Sequence, residues 1–244
     1  MEIARRMRSD WDKRARENAM FYIDTRHAAW EAESFFRGGR DEALWLLRPA
    51  LTHLQFDPAG KRMLEIGCGI GRLFPGFAER FAEVWGIDVS AEMIRQAQSL
   101  CPVKNARFVL GSGEDLLGIE SASVDYCFSY IVFQHISDIN ILWNYLDEVY
   151  RVLHPGGAFQ LHFRADRPLR SALLLRFPHG MRELVTRLRH GSHTGDISTW
   201  TGVAVPPQKA ITRLARLGFD AVETLPCTTF SHRSYWVIGR KPGR

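Results

Sequence analysis

The sequence lacks any apolar run near the roughly 20 residues that a membrane-spanning helix requires, so no transmembrane helix is predicted. The basic residues at its N-terminus are not followed by an apolar stretch, so no secretory signal is predicted and a cytoplasmic location is expected. Internal repeats and low-complexity tracts are also missing. With 45% hydrophobic and 24% charged residues, the composition is typical of a globular protein.

Cysteine is scarce. The four cysteines form no CxxC pair and have no regular spacing, which indicates reduced thiols rather than a disulfide framework or a zinc site. No acidic spacing typical of a metal site is present either, and no metal is predicted.

Positive charge is concentrated in one segment between Arg164 and His190. Seven arginines there, against Asp166 and Glu183, give a net charge of +5, which equals the charge of the whole chain. Two interpretations remain open: a solvated helical face whose arginine stems cover apolar surface, or a docking surface for an anionic substrate, a lipid headgroup or a nucleic acid. The seven are Arg164, Arg167, Arg170, Arg176, Arg182, Arg187 and Arg189.

Short apolar runs alternate with helical stretches from Arg62 onward. The predicted strands cover 63–67, 83–88, 106–111, 124–130, 157–163, 219–225 and 235–240, and the predicted helices cover 3–21, 40–54, 72–82, 90–100, 138–153 and 206–217. Strict alternation of this kind is typical of a parallel sheet covered on both faces.

The predicted fold is therefore a doubly wound α/β domain with a mostly parallel, seven-stranded sheet whose last two strands form an antiparallel hairpin. An N-terminal helical cap is expected over 1–58 and the α/β domain over 59–244, with an inserted basic helical segment at 164–205.

A glycine-rich loop follows the first strand and opens a helix. Its glycines are Gly67, Gly69 and Gly71, and such loops at the carboxyl edge of a parallel sheet bind ligands. Glu65 precedes the first glycine, and Asp88 ends the next strand, where a carboxylate can accept both hydroxyls of a ribose. The spacing GxGxG differs from the GxGxxG of dinucleotide sites, and the acidic Glu65 suits a cation better than a pyrophosphate. S-adenosylmethionine, which carries a ribose, an adenine and an ammonium but no phosphate, satisfies these features.

Here the chain resembles the class I S-adenosylmethionine-dependent methyltransferases, which have a Rossmann-like fold. The resemblance covers roughly 60–165. It is carried by four ordered segments: LEIGCGIGRL, GIDVS, VDYCFSYIVFQHISD and YRVLHPGGAF.

The resemblance implies roles for particular residues. Glu65 is expected near the methionine ammonium, Asp88 on the ribose hydroxyls, and Val89 or Met93 against the adenine. One departure concerns the adenine amino group, because Ser112 stands where the family often has an acidic residue that accepts its hydrogen bond. Either Ser112 and the backbone at Gly113 contact the adenine, or Glu114 or Asp115 does. The implied cofactor-binding set is Glu65, Gly67, Cys68, Gly69, Gly71, Asp88, Val89, Met93, Ser112, Gly113, Glu114 and Ser129.

Candidate catalytic residues follow from the chemistry of methyl transfer, which requires a positioned acceptor and, for a hydroxyl or protonated amine, a base. His135 follows the fourth strand and is the candidate base, although it could instead cap the next helix. Gln134 could orient the acceptor, and Tyr22 or Phe21 on the N-terminal helix could face the sulfonium. Trp200 is a candidate wall of the acceptor pocket.

The leading hypothesis is a methyltransferase acting on a small or medium-sized, anionic or lipid-like molecule. Alternatives are transfer or cyclisation of the cofactor's aminopropyl part, or a cofactor-binding protein without a reaction. A stable nucleic-acid partner is not expected, because the fourth strand ends in Ser129-Tyr130-Ile131-Val132 rather than an Asn-Pro-Pro-aromatic motif. A dinucleotide oxidoreductase ranks last. Peripheral membrane contact and either a monomer or a homodimer are compatible with the sequence.

Overall fold

The protein is described by a computed structural model that covers residues 2–165, 202–227 and 234–243. Its strands are β1 (Arg62–Ile66), β2 (Glu83–Asp88), β3 (Ala106–Leu110), β4 (Val124–Ser129), β5 (Leu153–Arg164), β6 (Asp220–Cys227) and β7 (Ser234–Arg240). Its α-helices within these residues are α1 (Glu2–Ile23), α2 (Ala32–Leu46), α3 (Arg48–His53), α4 (Phe74–Ala78), α5 (Ala91–Leu100), α6 (Ile139–Val152) and α7 (Pro207–Arg216).

The seven strands form one sheet in the order β3-β2-β1-β4-β5-β7-β6. The first five strands are parallel, and β7 runs antiparallel to both β5 and β6. The order reverses between β1 and β4, and in open parallel sheets ligands bind at such a switch point, beyond the carboxyl ends of the strands. The predicted sheet and its terminal antiparallel hairpin are confirmed.

Side chains that alternate along each strand divide the core between the two faces of the sheet. Leu64 and Ile66 on β1 pack in a cluster with α6 and α7, whereas Met63 packs on the opposite face with α2, α3 and α4. A third cluster joins α1 and α2 to Met93 and Ala97 of α5. Helices therefore cover both faces, as the nearly continuous apolar strands require.

The predicted helix over 40–54 was wrong at its start, because α2 already begins at Ala32. Gly39 lies within this helix and against the backbone of the glycine-rich loop. A Cβ on Gly39 would lie 2.0 Å from the carbonyl oxygen of Arg72. This glycine thus allows a close approach between α2 and the loop.

Two further boundaries differ from those predicted. Helix α4 occupies only Phe74–Ala78 of the predicted 72–82, and Pro75 in its first turn fits a helix start there. Strand β5 begins at Leu153 rather than at 157, because the turn-like residues 154–157 are accommodated where the β4–β5 register shifts.

Several predictions concern residues beyond the described ranges. Most of the inserted segment at 164–205, including six of its seven arginines and Trp200, lies outside them, so its predicted helical character stays a prediction. The division at residue 58 likewise stays a prediction. No helix of the described residues is both long and apolar enough to cross a bilayer.

Candidate functional site: a cavity at the carboxyl edge of the sheet

The carboxyl ends of β1, β2 and β4 face a cavity of about 660 Å³. Small-molecule sites occupy roughly 300–1,000 Å³, so this volume accommodates a cofactor-sized ligand. The predicted site residues that line it are Tyr22, Glu65, Gly67, Cys68, Gly69, Asp88, Val89, Met93, Gln134 and His135.

The glycine-rich loop forms one wall with its backbone. Gly67 and Gly69 have φ values of +74° and +53°, which other residues rarely adopt. The Gly67 N–H donates to the carbonyl of Ile87 at 2.7 Å and fixes the loop to β2. A Cβ on Gly67 would lie 2.3 Å from Cγ2 of Val132, so a side chain there would collide with the loop after β4.

Glu65 is a buried carboxyl on β1, only 4% exposed. Burial raises its pKa well above the ordinary value, and the negative charge of Asp88 adds to this, while Arg72 opposes it. Within the described part of the chain, Oε2 of Glu65 has no hydrogen-bond partner. A buried carboxyl oxygen beside the cavity fits an ammonium group, which would supply both the missing hydrogen bond and a compensating charge.

The carboxylate of Asp88 stabilises the turn between β2 and α5 through hydrogen bonds to backbone N–H groups. Its Oδ2 accepts the Gly69 N–H and its Oδ1 accepts the Ser90 N–H, each at 2.9 Å. Burial raises its pKa to about 6, although these backbone hydrogen bonds pull in the opposite direction. Each carboxylate oxygen keeps a second lone pair, so the group can also accept ribose hydroxyls.

The side of the cavity next to Asp88 has an apolar surface made by Val89, Met93 and Gly111. Gly113 supports it, since a Cβ there would lie 2.7 Å from Cγ2 of Val89. The Ser112 hydroxyl accepts the N–H groups of Glu114 and Asp115 and donates to the Asp115 carboxylate, so it stabilises its own turn.

Helix α1 covers the cavity. Its backbone is extended at Asn18, whose side chain accepts the N–H of Phe21 and caps the last turn of the helix. That turn brings Tyr22 and Ile23 to the cavity, where Ile23 lies directly over Gly69. The Tyr22 hydroxyl donates to Glu17 at 2.9 Å.

Side-chain contacts hold α1 across β3 and α5. Asp12 accepts the Ser90 hydroxyl at 2.6 Å and the Glu92 N–H at 3.1 Å. Arg8 donates to the carbonyl of Gly111 at 3.0 Å. The helix therefore shields from solvent the edge of the sheet where the adenine and ribose are expected.

An arginine–carboxylate cluster of Asp24, Arg26, Glu42 and Arg72 lies at one end of the cavity. Arg72, 5% exposed, pairs with Asp24 at 2.9 Å and with Glu42 at 2.8 Å, which links the glycine-rich loop to α2 and to the segment after α1. Burial raises the pKa of Asp24, but its hydrogen bonds with Arg26 and the charge of Arg72 outweigh this, so the pKa lies below its ordinary value.

Gln134 and His135 lie on a short 3₁₀ turn, Phe133–His135, beyond the end of β4. Their amide nitrogen and Nε2 are 3.4 Å apart. The His135 ring meets Trp11 of α1 edge to face, with ring centroids 5.3 Å apart. His135 thus lies at the cavity wall under α1 rather than capping α6, whose N-cap is Asp138.

Five predicted cofactor residues do not line the cavity: Gly71, Ser112, Gly113, Glu114 and Ser129. Ser129 is fully buried and donates to the carbonyl of Ile66 on the neighbouring strand. Gly71 packs against Phe108 and Cys101. Direct cofactor contacts stay predictions for these five as for the seven that line the cavity.

Sequence reasoning missed several residues that line the cavity: Trp11, Ile23, Asp24, Arg26, Glu42, Arg72, Gly111, Tyr130 and Tyr145. Arg72 directly follows the last glycine of the loop and Gly111 directly precedes Ser112, so both had a local signal. Asp24 and Glu42 had none, because their places depend on the packing of α1 and α2.

Comparison with known proteins agrees with this architecture. Residues 64–161 match the family model described as "Methyltransferase domain". The malonyl-acyl-carrier-protein O-methyltransferase of Erwinia billingiae is 35% identical over 98 residues, which are 40% of this chain and 37% of that protein. The mitochondrial ubiquinone biosynthesis O-methyltransferase of Mus musculus is 27% identical over 198 residues, or 78% of this chain and 50% of that protein. The chain thus spans half or less of the length of these two relatives.

Solved structures share the fold. Magnesium protoporphyrin IX methyltransferase from Synechocystis PCC 6803, solved with bound S-adenosylhomocysteine, superposes with a TM-score of 0.66 at 16% identity, over 98% of this chain and 99% of that one. The family match, the strand order and the glycine-rich loop confirm the resemblance found in the sequence. Residues 64–161 are therefore similar to methyltransferase domains, and they lie within a sheet that has the Rossmann-like fold of the solved methyltransferase.

Proposed function

We propose that the protein transfers the methyl group of S-adenosylmethionine to an oxygen atom of a small or medium-sized molecule. The observation that carries the proposal is the pair of carboxyl groups on adjacent strands, Glu65 and Asp88, at the two sides of one glycine-rich loop. Both residues line the cavity, and burial raises the pKa of each carboxyl group.

The two carboxyl groups have different tasks in this proposal. Glu65 binds the methionine ammonium, which donates to Oε2 the hydrogen bond that this atom lacks among the described residues. Asp88 accepts the ribose hydroxyls while its bonds to Gly69 and Ser90 keep the carboxylate oriented. The sulfonium supplies an electrophilic methyl group, and S-adenosylhomocysteine is the product.

The remaining cavity residues position the acceptor. Tyr22, Trp11 and Ile23 of α1 exclude water above the site. Gln134 orients the acceptor, and His135 removes the proton when the acceptor is a hydroxyl, as the new C–O bond forms and the sulfur keeps the electron pair of the broken C–S bond. A carboxylate acceptor needs no proton removal.

Transfer to oxygen is supported by the two relatives, both of which are named as O-methyltransferases. A histidine beside the cavity suits a hydroxyl acceptor, because imidazole is the side chain that most often serves as a general base.

The experiment measures tritium transfer from S-adenosyl-[methyl-³H]methionine to matched sets of phenols, carboxylic acids, amines and thiols, with S-adenosylhomocysteine quantified by mass spectrometry. Labelled ethers or esters formed together with S-adenosylhomocysteine support the proposal. Labelled amines or thioethers alone, or methylthioadenosine as the product, contradict it.

A further inference from the structure

Tyr145 is a buried phenol on α6 to which the proposed function assigns no role. It is 8% exposed and lines the cavity. Its ring packs against Phe133, with ring centroids 6.0 Å apart. Within the described part of the chain, its hydroxyl makes no hydrogen bond. Buried tyrosine hydroxyls usually have a hydrogen-bond partner, so this group is available to a ligand in the cavity.

Contacts on either side of Tyr145 fix this part of α6 against the segment after β3. The side chain of Asn144 donates to the carbonyl of Glu114 at 2.7 Å. The carboxylate of Glu148 accepts the N–H of Leu116 at 3.0 Å. Tyr145 is adjacent to the first of these anchors and less than one helical turn from the second, so the backbone that carries its phenol is held in place.

The charges around the phenol indicate which part of the cavity it faces. Burial raises the pKa of its hydroxyl above the ordinary value, and the negative charges of Asp88, Asp115 and Glu114 raise this pKa further. The hydroxyl is therefore neutral, and its oxygen can accept a hydrogen bond while its O–H can donate one. It lies within electrostatic range of the carboxylate expected to bind the ribose and of two carboxylates that follow β3.

The part of the cavity that Tyr145 borders is otherwise apolar. Met7 of α1, Ile87 of β2 and Ile136 line the cavity and pack in one cluster with Tyr145. Among these four residues, only Tyr145 carries a polar side-chain group. An adenine has two flat faces that suit an apolar surface, and its polar edge needs hydrogen-bond partners when it is buried.

The residues that the sequence assigned to the adenine amino group do not reach the cavity. None of residues 112–115, all of which the structure describes, lines it. Gly111 does line it, but its N–H donates to the carbonyl of Asp88 at 2.8 Å and its carbonyl accepts the guanidinium of Arg8 at 3.0 Å. On this side of the cavity, the Tyr145 hydroxyl is therefore the group best placed to meet the polar edge of the base.

We propose that the Tyr145 hydroxyl accepts a hydrogen bond from the amino group of the cofactor's adenine, and thereby selects adenine over a purine that lacks this group. This inference rests on the proposed function, because it requires the adenosyl group of S-adenosylmethionine in this cavity. The phenol lies within range of the charges of both Asp88 and the segment after β3, as a contact with the base beyond the ribose requires.

The test is calorimetric titration of the full chain with two ligands. One is S-adenosylhomocysteine, and the other is its analogue with purine in place of adenine, which differs only by the missing amino group. The variant is Tyr145→Phe. Tyr150→Phe is the matched control, because Tyr150 lies on the same helix and does not line the cavity. Thermal melting of both variants checks that each is folded.

Wild type and Tyr150→Phe are expected to bind S-adenosylhomocysteine about tenfold more tightly than the purine analogue. Tyr145→Phe is expected to bind S-adenosylhomocysteine about tenfold more weakly than wild type and the purine analogue equally well, so that the preference disappears. Equal affinity of wild type for the two ligands, a preference that Tyr145→Phe retains, or an equal loss of affinity for both ligands in this variant overturns the inference. Failure of wild type to bind either ligand would instead overturn the proposed function.

Discussion

Replacing Asp88 with asparagine separates two effects of this carboxylate, one on stability and one on the cofactor. Burial raises its folded-state pKa from 3.8 to about 6. The raised pKa means that the folded protein retains a proton that the unfolded chain has lost, so stability falls as the pH rises through the range from about 4 to 6. Above this range the ionised group costs about 3 kcal/mol, of which about 1.5 kcal/mol develops between pH 5 and pH 8.

Asp88→Asn removes this ionisation. The amide can still accept one of the two N–H groups, from Gly69 or Ser90, but the loss of the other bond costs about 1–3 kcal/mol at every pH. The free energy of unfolding of the variant, relative to wild type, is therefore expected to increase by about 1.5 kcal/mol between pH 5 and pH 8. Asp88 also raises the pKa of Glu65, so relief of that repulsion acts in the same direction.

Urea unfolding of both proteins without cofactor, at pH 5 and pH 8, measures this difference. Asp220→Asn, at an exposed aspartate, is the control for exchanging a carboxylate for an amide. Asp88→Asn is also expected to bind S-adenosylmethionine at least about tenfold more weakly than wild type, because its side chain offers one acceptor oxygen instead of two. A stability difference that is the same at both pH values, or unchanged cofactor affinity, would refute the reasoning.

Three further predictions follow from the other groups of the site. Glu65→Gln should weaken S-adenosylmethionine binding. It should also abolish the release of the Glu65 carboxyl proton on binding, which calorimetry in buffers of different ionisation enthalpy measures. Equal proton release by both proteins contradicts the assigned ammonium contact. His135→Ala should leave cofactor affinity within about threefold but lower turnover of a hydroxyl acceptor by roughly 10²–10⁴-fold, with little effect on a carboxylate acceptor; an equal loss with both acceptors argues against a base. Asp24→Asn should reduce the free energy of unfolding near pH 7 by about 1–3 kcal/mol, because Arg72 and Arg26 both lose a charged partner and keep only Glu42. An unchanged urea midpoint would show that the cluster is not stabilising. Because the folded-state pKa of Asp24 is lowered, its contribution to the free energy of unfolding is fully present at pH values above the ordinary aspartate pKa. This contribution is lost as the pH falls through the lowered pKa.

The sheet could be predicted because its parallel strands are short apolar runs, of which β1, β4 and β5 are buried along most of their length, and because helices separate most of them in the sequence. Strand β2 was predicted with its observed bounds, and the hairpin of β6 and β7 followed from the short connection between them. The start of α2 was predicted eight residues too late, and the helix includes Gly39, which allows close packing on Arg72.

The positions of Glu65, Gly67, Gly69 and Asp88 at the cavity were predictable from local signals, since these residues lie at or just after the ends of successive strands. The position of α1 over the cavity was less predictable from the sequence. Asp24 meets Arg72 only because α1 ends over the glycine-rich loop, and no local pattern encodes that contact.

The most direct test of the central claim is calorimetric titration of the purified protein with S-adenosylmethionine and S-adenosylhomocysteine, with NADH as the control ligand. The account predicts micromolar binding of both sulfur compounds at one molecule per chain, weakened in Asp88→Asn, and no binding of NADH. Binding of NADH without either sulfur compound, or cofactor affinity that is indifferent to both Glu65→Gln and Asp88→Asn, would contradict it.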